Sequence, residues 1–247
     1  MLTAAALAGL PEIERGADLA ALILASGPRL RDGDVLVIAH KAVSKAEGRV
    51  RALADVVPSD RAQLLALEHG KDPRQVQVIL DESRELLRAV RGVLICVTHH
   101  GFICANAGVD ASNAPASGTV VMLPRDPDAS ARALRARLHA LTGVRPGVVI
   151  TDSFGRAWRI GQCDVAIGCA GITPLDDWLG REDRAGRELH ATVLAAADEL
   201  AAAADLARTK DGGQPAVLLR GASRYVTDAD GPGASALIRP AAADLFR

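Results

Sequence analysis

Apolar and polar positions alternate in blocks along this chain, and the blocks come in two lengths. Short apolar runs stand at residues 35–38, 92–97, 118–123, 148–150 and 216–219. Runs this short, rich in β-branched residues and bounded by turn residues, are strands buried in a sheet. The longer blocks have helical spacing. Asp18 caps a helix over Leu19, Leu22 and Ile23 that stops before Gly27-Pro28. A second covers 60–69 through Leu64, Leu65 and Leu67. A third is capped by Asp128 or Ser130, presents Leu134 and Leu138 on one face and runs to Leu141. The Ala-rich stretch 188–206 predicts a fourth.

Between them lie polar segments: a turn at 40–48, a charged Gly-punctuated loop at 176–187, a loop at 211–215 and a flexible tail through Gly231-Pro232-Gly233. Gly- and Ala-rich 165–172 suits close backbone packing. The fold class expected is mixed α/β (α+β), a buried mixed sheet with flanking helices. No repeat, linker or composition break divides the chain, so 1–247 reads as a single domain.

Composition narrows the function. Hydrophobic residues make up 49%, mostly Ala, Val, Leu and Ile, but aromatics only 2%. Twenty-nine basic residues against thirty acidic ones leave a net charge of -1. That is no electrostatic footprint for nucleic acid, and too few rings for a stacking platform. No apolar run reaches membrane-spanning length, and the opening Met1-Leu2-Thr3-Ala4 lacks a basic n-region. Cys96, Cys104, Cys163 and Cys169 form no C-x-x-C pair and sit in apolar or Gly-rich surroundings. They read as reduced structural thiols, which fits a cytoplasmic protein without zinc or disulfides.

The candidate chemistry clusters where apolar runs end. The run 148–150 meets Thr151-Asp152-Ser153-Phe154-Gly155-Arg156, with Arg159 three positions on. Asp152 suits a hard cation, Ser153 offers a neutral oxygen, and Arg156 and Arg159 suit phosphate or carboxylate. The same residues also make an Asx-turn with a solvated arginine pair. After residues 35–38 come His40, Lys41, Ser44 and Lys45, a group suited to a polyphosphate although the Walker A glycines are missing. A lysine pair on a solvated turn reads equally well. In 98–113, His99 and His100 point to opposite faces of extended chain and cannot easily share a metal. Asp110 and Asn113 supply a carboxylate and an amide in a turn. Asp110 and Asp152 converging on Mg²⁺ or Mn²⁺ would serve nucleoside triphosphate chemistry. Residues alone thus reach a metal- and phosphate-using α/β enzyme. A phosphotransferase or phosphohydrolase on another small substrate, or a non-catalytic nucleotide-binding module, shares these features.

Longer motifs go further. The set is Gly9-Leu10-Pro11-Glu12-Ile13; Lys41-x-Val43-Ser44-Lys45-Ala46-Glu47-Gly48; His100-Gly101-Phe102-x-Cys104-Ala105-Asn106-Ala107-Gly108-Val109-Asp110-Ala111-Ser112-Asn113; Leu123-Pro124-x-Asp126-Pro127-Asp128; and Thr151-Asp152-Ser153-x-Gly155-Arg156-x-Trp158-Arg159-x-Gly161. It resembles the coenzyme F-420-0:L-glutamate ligases (F-420 gamma-glutamyl ligases) across roughly residues 9 to 221. The ending from Leu237 to Arg247 resembles the junction of bifunctional actinobacterial versions, which continue into a nitroreductase-like domain, so the chain is expected to be either a free-standing ligase or one domain of such a protein.

The resemblance implies a GTP-dependent ligase acting in F-420 biosynthesis. It would join L-glutamate to F-420-0, and then further γ-linked glutamates, with two divalent cations (Mg²⁺ or Mn²⁺) and K⁺, as a homodimer. By matched position, Leu10, Pro11, Glu12, Ile13, His40, Lys45 and Asn113 would contact GTP. Asp110, Asp152 and Ser153 would be metal ligands, and Lys45 and Arg156 would join the two aspartates in catalysis. Two positions depart from the family. His40 stands where a small hydroxyl residue is frequent. Arg208-Thr209-Lys210-Asp211 replaces a Gly-Lys or Gly-Gln near a metal, and a protonated Lys210 can offer a cation only its backbone carbonyl.

Overall fold

The computed structural model describes residues 1–244, so the last three positions of the junction-like ending, Leu245 to Arg247, lie outside the described residues. The central sheet has five strands: β1 (Thr3–Ala6), β2 (Val35–Ala39), β8 (Gly147–Arg156), β9 (Arg159–Ala170) and β12 (Ala216–Arg220). Their spatial order is β1-β12-β2-β8-β9. Only β2 and β8 pair in parallel, in register from Val35↔Gly147 to Ala39↔Thr151. The other pairings are antiparallel, so the sheet is mixed as expected.

Continuous apolar runs follow from burial on both faces. Leu36, Ile38, Val148, Ile150 and Leu218 enter one core with α1 (Leu19–Ala25) and α5 (Pro127–Thr142). Val35, Val37, Val149, Val217 and Leu219 enter the other, against α6 (Ala196–Asp205). Successive residues of one strand thus serve opposite cores. In β9, a Cβ on Gly168 would lie 2.4 Å from the Pro127 backbone, the close approach anticipated from the Gly- and Ala-rich run.

A third core forms around α3 (Asp60–His69), α4 (Pro73–Asp81) and β5 (Val93–Thr98), where β5 pairs with β4 (Ser83–Val90) and β6 (Ile103–Ala105). The short pair β3 (Val50–Ala52) and β7 (Thr119–Val121) adjoins it, and Met122 N–H bonds to the Arg49 carbonyl. The remaining two-stranded piece pairs β10 (Asp176–Asp177) with β11 (Val193–Leu194). Among the described residues, no helix is long and apolar enough to cross a membrane.

Five local expectations change. Residues 40–48 are not a turn: His40–Ala46 form helix α2, with Glu47 and Gly48 closing it. The strand from 148 does not stop at Thr151 but runs to Arg156, because β9 supplies a partner as far as Arg159. Asp126, not Asp128 or Ser130, caps α5 by accepting from Ala129 N–H, with Pro127 in the first turn. Asp128 instead accepts from the N–H groups of Cys169, Ala234 and Ser235. Those bonds, and Gly171 N–H to the Asp230 carbonyl, dock the tail that Gly231-Pro232-Gly233 suggested was flexible. Finally, the 188–206 helix starts only at Ala196, since Val193 and Leu194 are held in a strand pair.

Candidate functional site

Parallel pairing sets the carboxyl end of β2 beside Thr151, midway along β8, and α/β sheets form ligand crevices beyond such strand ends. A cleft of about 530 Å³ opens there. Segments 10–13, 39–45, 110–113, 151–153 and 208–215 line it, with Gln162 and Asp164 from β9. Every residue that the family resemblance assigns to the site lies in it except Arg156. Leu10, Pro11, Glu12, Ile13, His40, Lys45, Asp110, Asn113, Asp152 and Ser153 all line its wall. Arg156 and Arg159 instead form the last pair before the hairpin turn, outside this lining. The Arg156 guanidinium donates to the Ile160 carbonyl at 2.9 Å.

Helix α2 presents two faces to the cleft. Residues four apart share a helix face, which groups Lys41 with Lys45 and His40 with Ser44. Lys41 Nζ donates to Asp110 Oδ2 at 2.6 Å, Ser112 Oγ at 2.8 Å and the Ser112 carbonyl at 3.0 Å. Three donors meet three oxygens, which satisfies the ammonium. Lys45 pairs with Glu12 alone among the described residues, leaving donor capacity for a ligand. His40 is 2% exposed, and its Nδ1 lies 3.3 Å from Ser44 Oγ. Its Nε2 lies 3.2 Å from Asp152 Oδ1 but without hydrogen-bond geometry, so that nitrogen is close to a carboxylate yet unbonded.

Asp110 is held by a two-way backbone bridge to Val121. Burial opposes ionisation of its carboxyl, but the hydrogen bonds from Lys41 and Ser112 outweigh it and keep the pKa below the ordinary 3.8. Asp152 Oδ1 accepts from Ser153 N–H at 2.8 Å.

Asp164 is absent from the motifs read in the sequence, and Thr151 and Arg208 stand in them without a role of their own. In the β8–β9 register Ser153 faces Asp164. The buried Asp164 carboxylate accepts from Ser153 Oγ at 2.6 Å and Thr151 Oγ1 at 2.8 Å, and it pairs with Arg208. Burial again opposes ionisation; Ser153, Arg208, Thr151 and Lys210 overcome it, and the pKa falls below 3.8. The available signal was a carboxylate inside the mostly apolar run 163–170 of β9, where an unpaired charge would be costly.

All four thiols are unpaired, and burial pushes Cys104 and Cys169 up to about 12, so both stay protonated. Among the described residues, no three His, Cys, Asp or Glu side chains form a group able to hold a metal ion. The cleft's donors nevertheless fit a hard cation shared with phosphate. Mg²⁺ commonly takes one or two carboxylates and completes its shell with water and substrate phosphates. Asp110, Asp152 and Ser153 line one wall with such oxygens.

Fold and cleft together define a mixed α/β protein whose lysines and carboxylates converge where the parallel pairing of β2 and β8 ends. Residues 9–221 match the family F420-0:Gamma-glutamyl ligase, and the chain belongs to it. It is 48% identical to "Coenzyme F420:L-glutamate ligase" of Methanopyrus kandleri, over 96% of this chain and 94% of that protein. Identity to the protein of the same name from Methanothermobacter thermautotrophicus is 43%, over 97% and 96% of the two chains. A third of that name, from Methanocaldococcus jannaschii, is 45% identical over 88% and 86%.

Proposed function

We propose that this protein is the GTP-dependent ligase that joins L-glutamate to F-420-0 and then extends it through γ-linkages. The observation that carries this reading is convergence: Lys45, Asp110, Asp152 and Ser153, distant in sequence, line one cleft in a chain of this family.

The chemistry explains what such a cleft must do. A carboxylate is a poor electrophile, so the F-420-0 carboxylate first takes the γ-phosphoryl group of GTP and becomes an acyl phosphate, releasing GDP. The glutamate amine, once deprotonated, attacks the acyl carbon, and phosphate leaves. Lys45, on the rigid end of α2, places its ammonium on phosphate oxygens; 10–13 and Asn113 bind the nucleotide around it. Asp110, Asp152 and Ser153 would hold the divalent cations. Bound there, these cations neutralise triphosphate charge and align attacking and leaving oxygens. Lys41, satisfied by protein oxygens, positions Asp110. Nothing in this geometry brings Arg156 to the phosphates within one chain.

We also propose a homodimer. Trp158 and Ile160 at the β8–β9 tip are 82% and 101% exposed, and Trp158 has a left-handed φ of 59°. Exposed apolar residues on a strained turn support contact with a second copy.

A coupled assay of GDP release with F-420-0, with and without L-glutamate, tests the reaction. Glutamate-dependent release is expected. Glutamate-independent release would favour a phosphohydrolase, and no release would leave a nucleotide-binding module.

A further inference from the structure

Next to the nucleotide side of the cleft is a corner whose charges close in an unusual way. Asp164 on β9 and Asp205 at the end of α6 bring two carboxylates together. Arg208 pairs with Asp164 and sits 3.7 Å from Asp205 through Nε. Two negative charges against one guanidinium leave one negative charge over. That remainder calls for one monovalent positive charge; a divalent ion would overcompensate it.

The chain supplies that charge. Lys210 Nζ donates to Ser153 Oγ at 2.7 Å, Asp205 Oδ1 at 3.0 Å and Asp164 Oδ1 at 3.4 Å. The oxygens come from three elements, and they use all three ammonium donors. An alkylammonium and K⁺ carry the same charge and have similar radii, so both are suited to an oxygen-lined corner. A K⁺ ion, which the family resemblance implies, would not fit this corner while the ammonium occupies it.

We propose that the Lys210 ammonium is the resident monovalent cation of this site, making the protein independent of K⁺. Its function is positioning. Holding Ser153 Oγ and neutralising Asp164 and Asp205 fixes the β8–β9 wall on which Asp152 stands. Only the effect on catalysis rests on the ligase reading; the cation's role in the fold stands without it.

The test compares the parent protein with Lys210→Ala and Lys210→Met in choline chloride, KCl, NH₄Cl and tetramethylammonium chloride at constant ionic strength. The side chain is two-thirds exposed, so either substitution leaves the core intact. Thermal melting decides. The parent should melt at the same temperature in KCl and choline. Both variants should melt lower in choline and recover saturably with K⁺ or ammonium, but not with the bulkier tetramethylammonium. A parent stabilised by K⁺ as much as the variants would overturn the proposal, and so would variants indifferent to K⁺. Glutamate-dependent GDP release should follow the same pattern, with about a tenfold K⁺ activation in the variants, worth about 1.4 kcal/mol, and none in the parent. Absence of GDP release from every protein in every salt would defeat the ligase reading, while the melting data would still judge Lys210.

Discussion

At the base of the β8–β9 hairpin, Thr151 and Ser153 turn their hydroxyls onto the buried Asp164, which Arg208 and Lys210 also contact. At its tip, the ends of the same two strands and the turn between them expose Arg156, Trp158 and Ile160, and the Arg156 guanidinium donates to the Ile160 carbonyl. In sequence these regions are one motif, the eleven residues from Thr151 to Gly161. In space the base belongs to the cleft and the tip to the periphery. Polar residues are costly to bury and so must be paired at the base; at the exposed tip that constraint is relaxed, and substitutions of exposed residues usually cost little.

The sharpest way to break this contrast is at Arg208. Arg208→Met leaves Asp164, 1% exposed, without its guanidinium partner. Loss of one member of a buried pair costs about 3–5 kcal/mol. Urea denaturation should show it, and a loss near zero would mean that Lys210 and the two hydroxyls carry Asp164 unaided.

Asp152→Asn acts on function instead. An amide caps turns nearly as well as a carboxylate but is a poorer ligand for a hard cation. Melting without metal should not change, stabilisation by metal should disappear, and glutamate-dependent GDP release should fall about a hundredfold, roughly 3 kcal/mol. Turnover within a few-fold of the parent would remove Asp152 from the site.

Lys45→Ala should keep the fold and weaken GTP by about 1.5–3 kcal/mol, the value of a charge-assisted hydrogen bond. Calorimetric titration of both proteins measures it; equal affinities would hand the phosphate role to another residue.

Acid separates base from tip by pH. Asp110 and Asp164 both have folded pKa values below 3.8. Carboxylates depressed in this way add stability that is fully present above the unfolded value and is lost as pH falls through the folded one. Stability followed from pH 6 to pH 2 should therefore drop chiefly below pH 4. In Arg208→Met this loss should begin at higher pH, since one cause of the depression is gone. An unchanged acid profile would show that the pair does not set it.

The smallest effect belongs to the tip. Trp158→Ser should alter the stability of the single chain by less than about 0.5 kcal/mol. Its consequence should appear in sedimentation as a weakened dimer, and an unaltered dimer would place the interface elsewhere.

The longer apolar strands and four of the six α-helices of the described residues were legible in the chain. Val35 to Ile38 and 148–150 are apolar at every position because both faces of their sheet are covered, and that burden marks any sequence that bears it. The Asp18 cap is equally local, one side chain bonding to Ala21 N–H three residues on. Lys45, Asp110 and Asp152 were recognisable by residue type and by the motifs around them. What remained hidden depends on contacts distant in the chain. Whether strand β8 stops at Thr151 or runs to Arg156 depends on β9 being there to pair with it. Asp128 looks like a helix cap until the tail brings the N–H groups of Ala234 and Ser235 to it. Asp164 is a single carboxylate in an apolar strand; only the approach of Arg208 and Lys210 from the loop after α6 gives it its charge partners. Local pattern determined the apolar strands and the helices α1, α3 and α5, because periodicity and capping act within a few residues. The membership of the cleft was decided by tertiary structure, because buried charges acquire their roles from partners that the chain brings together only when it folds.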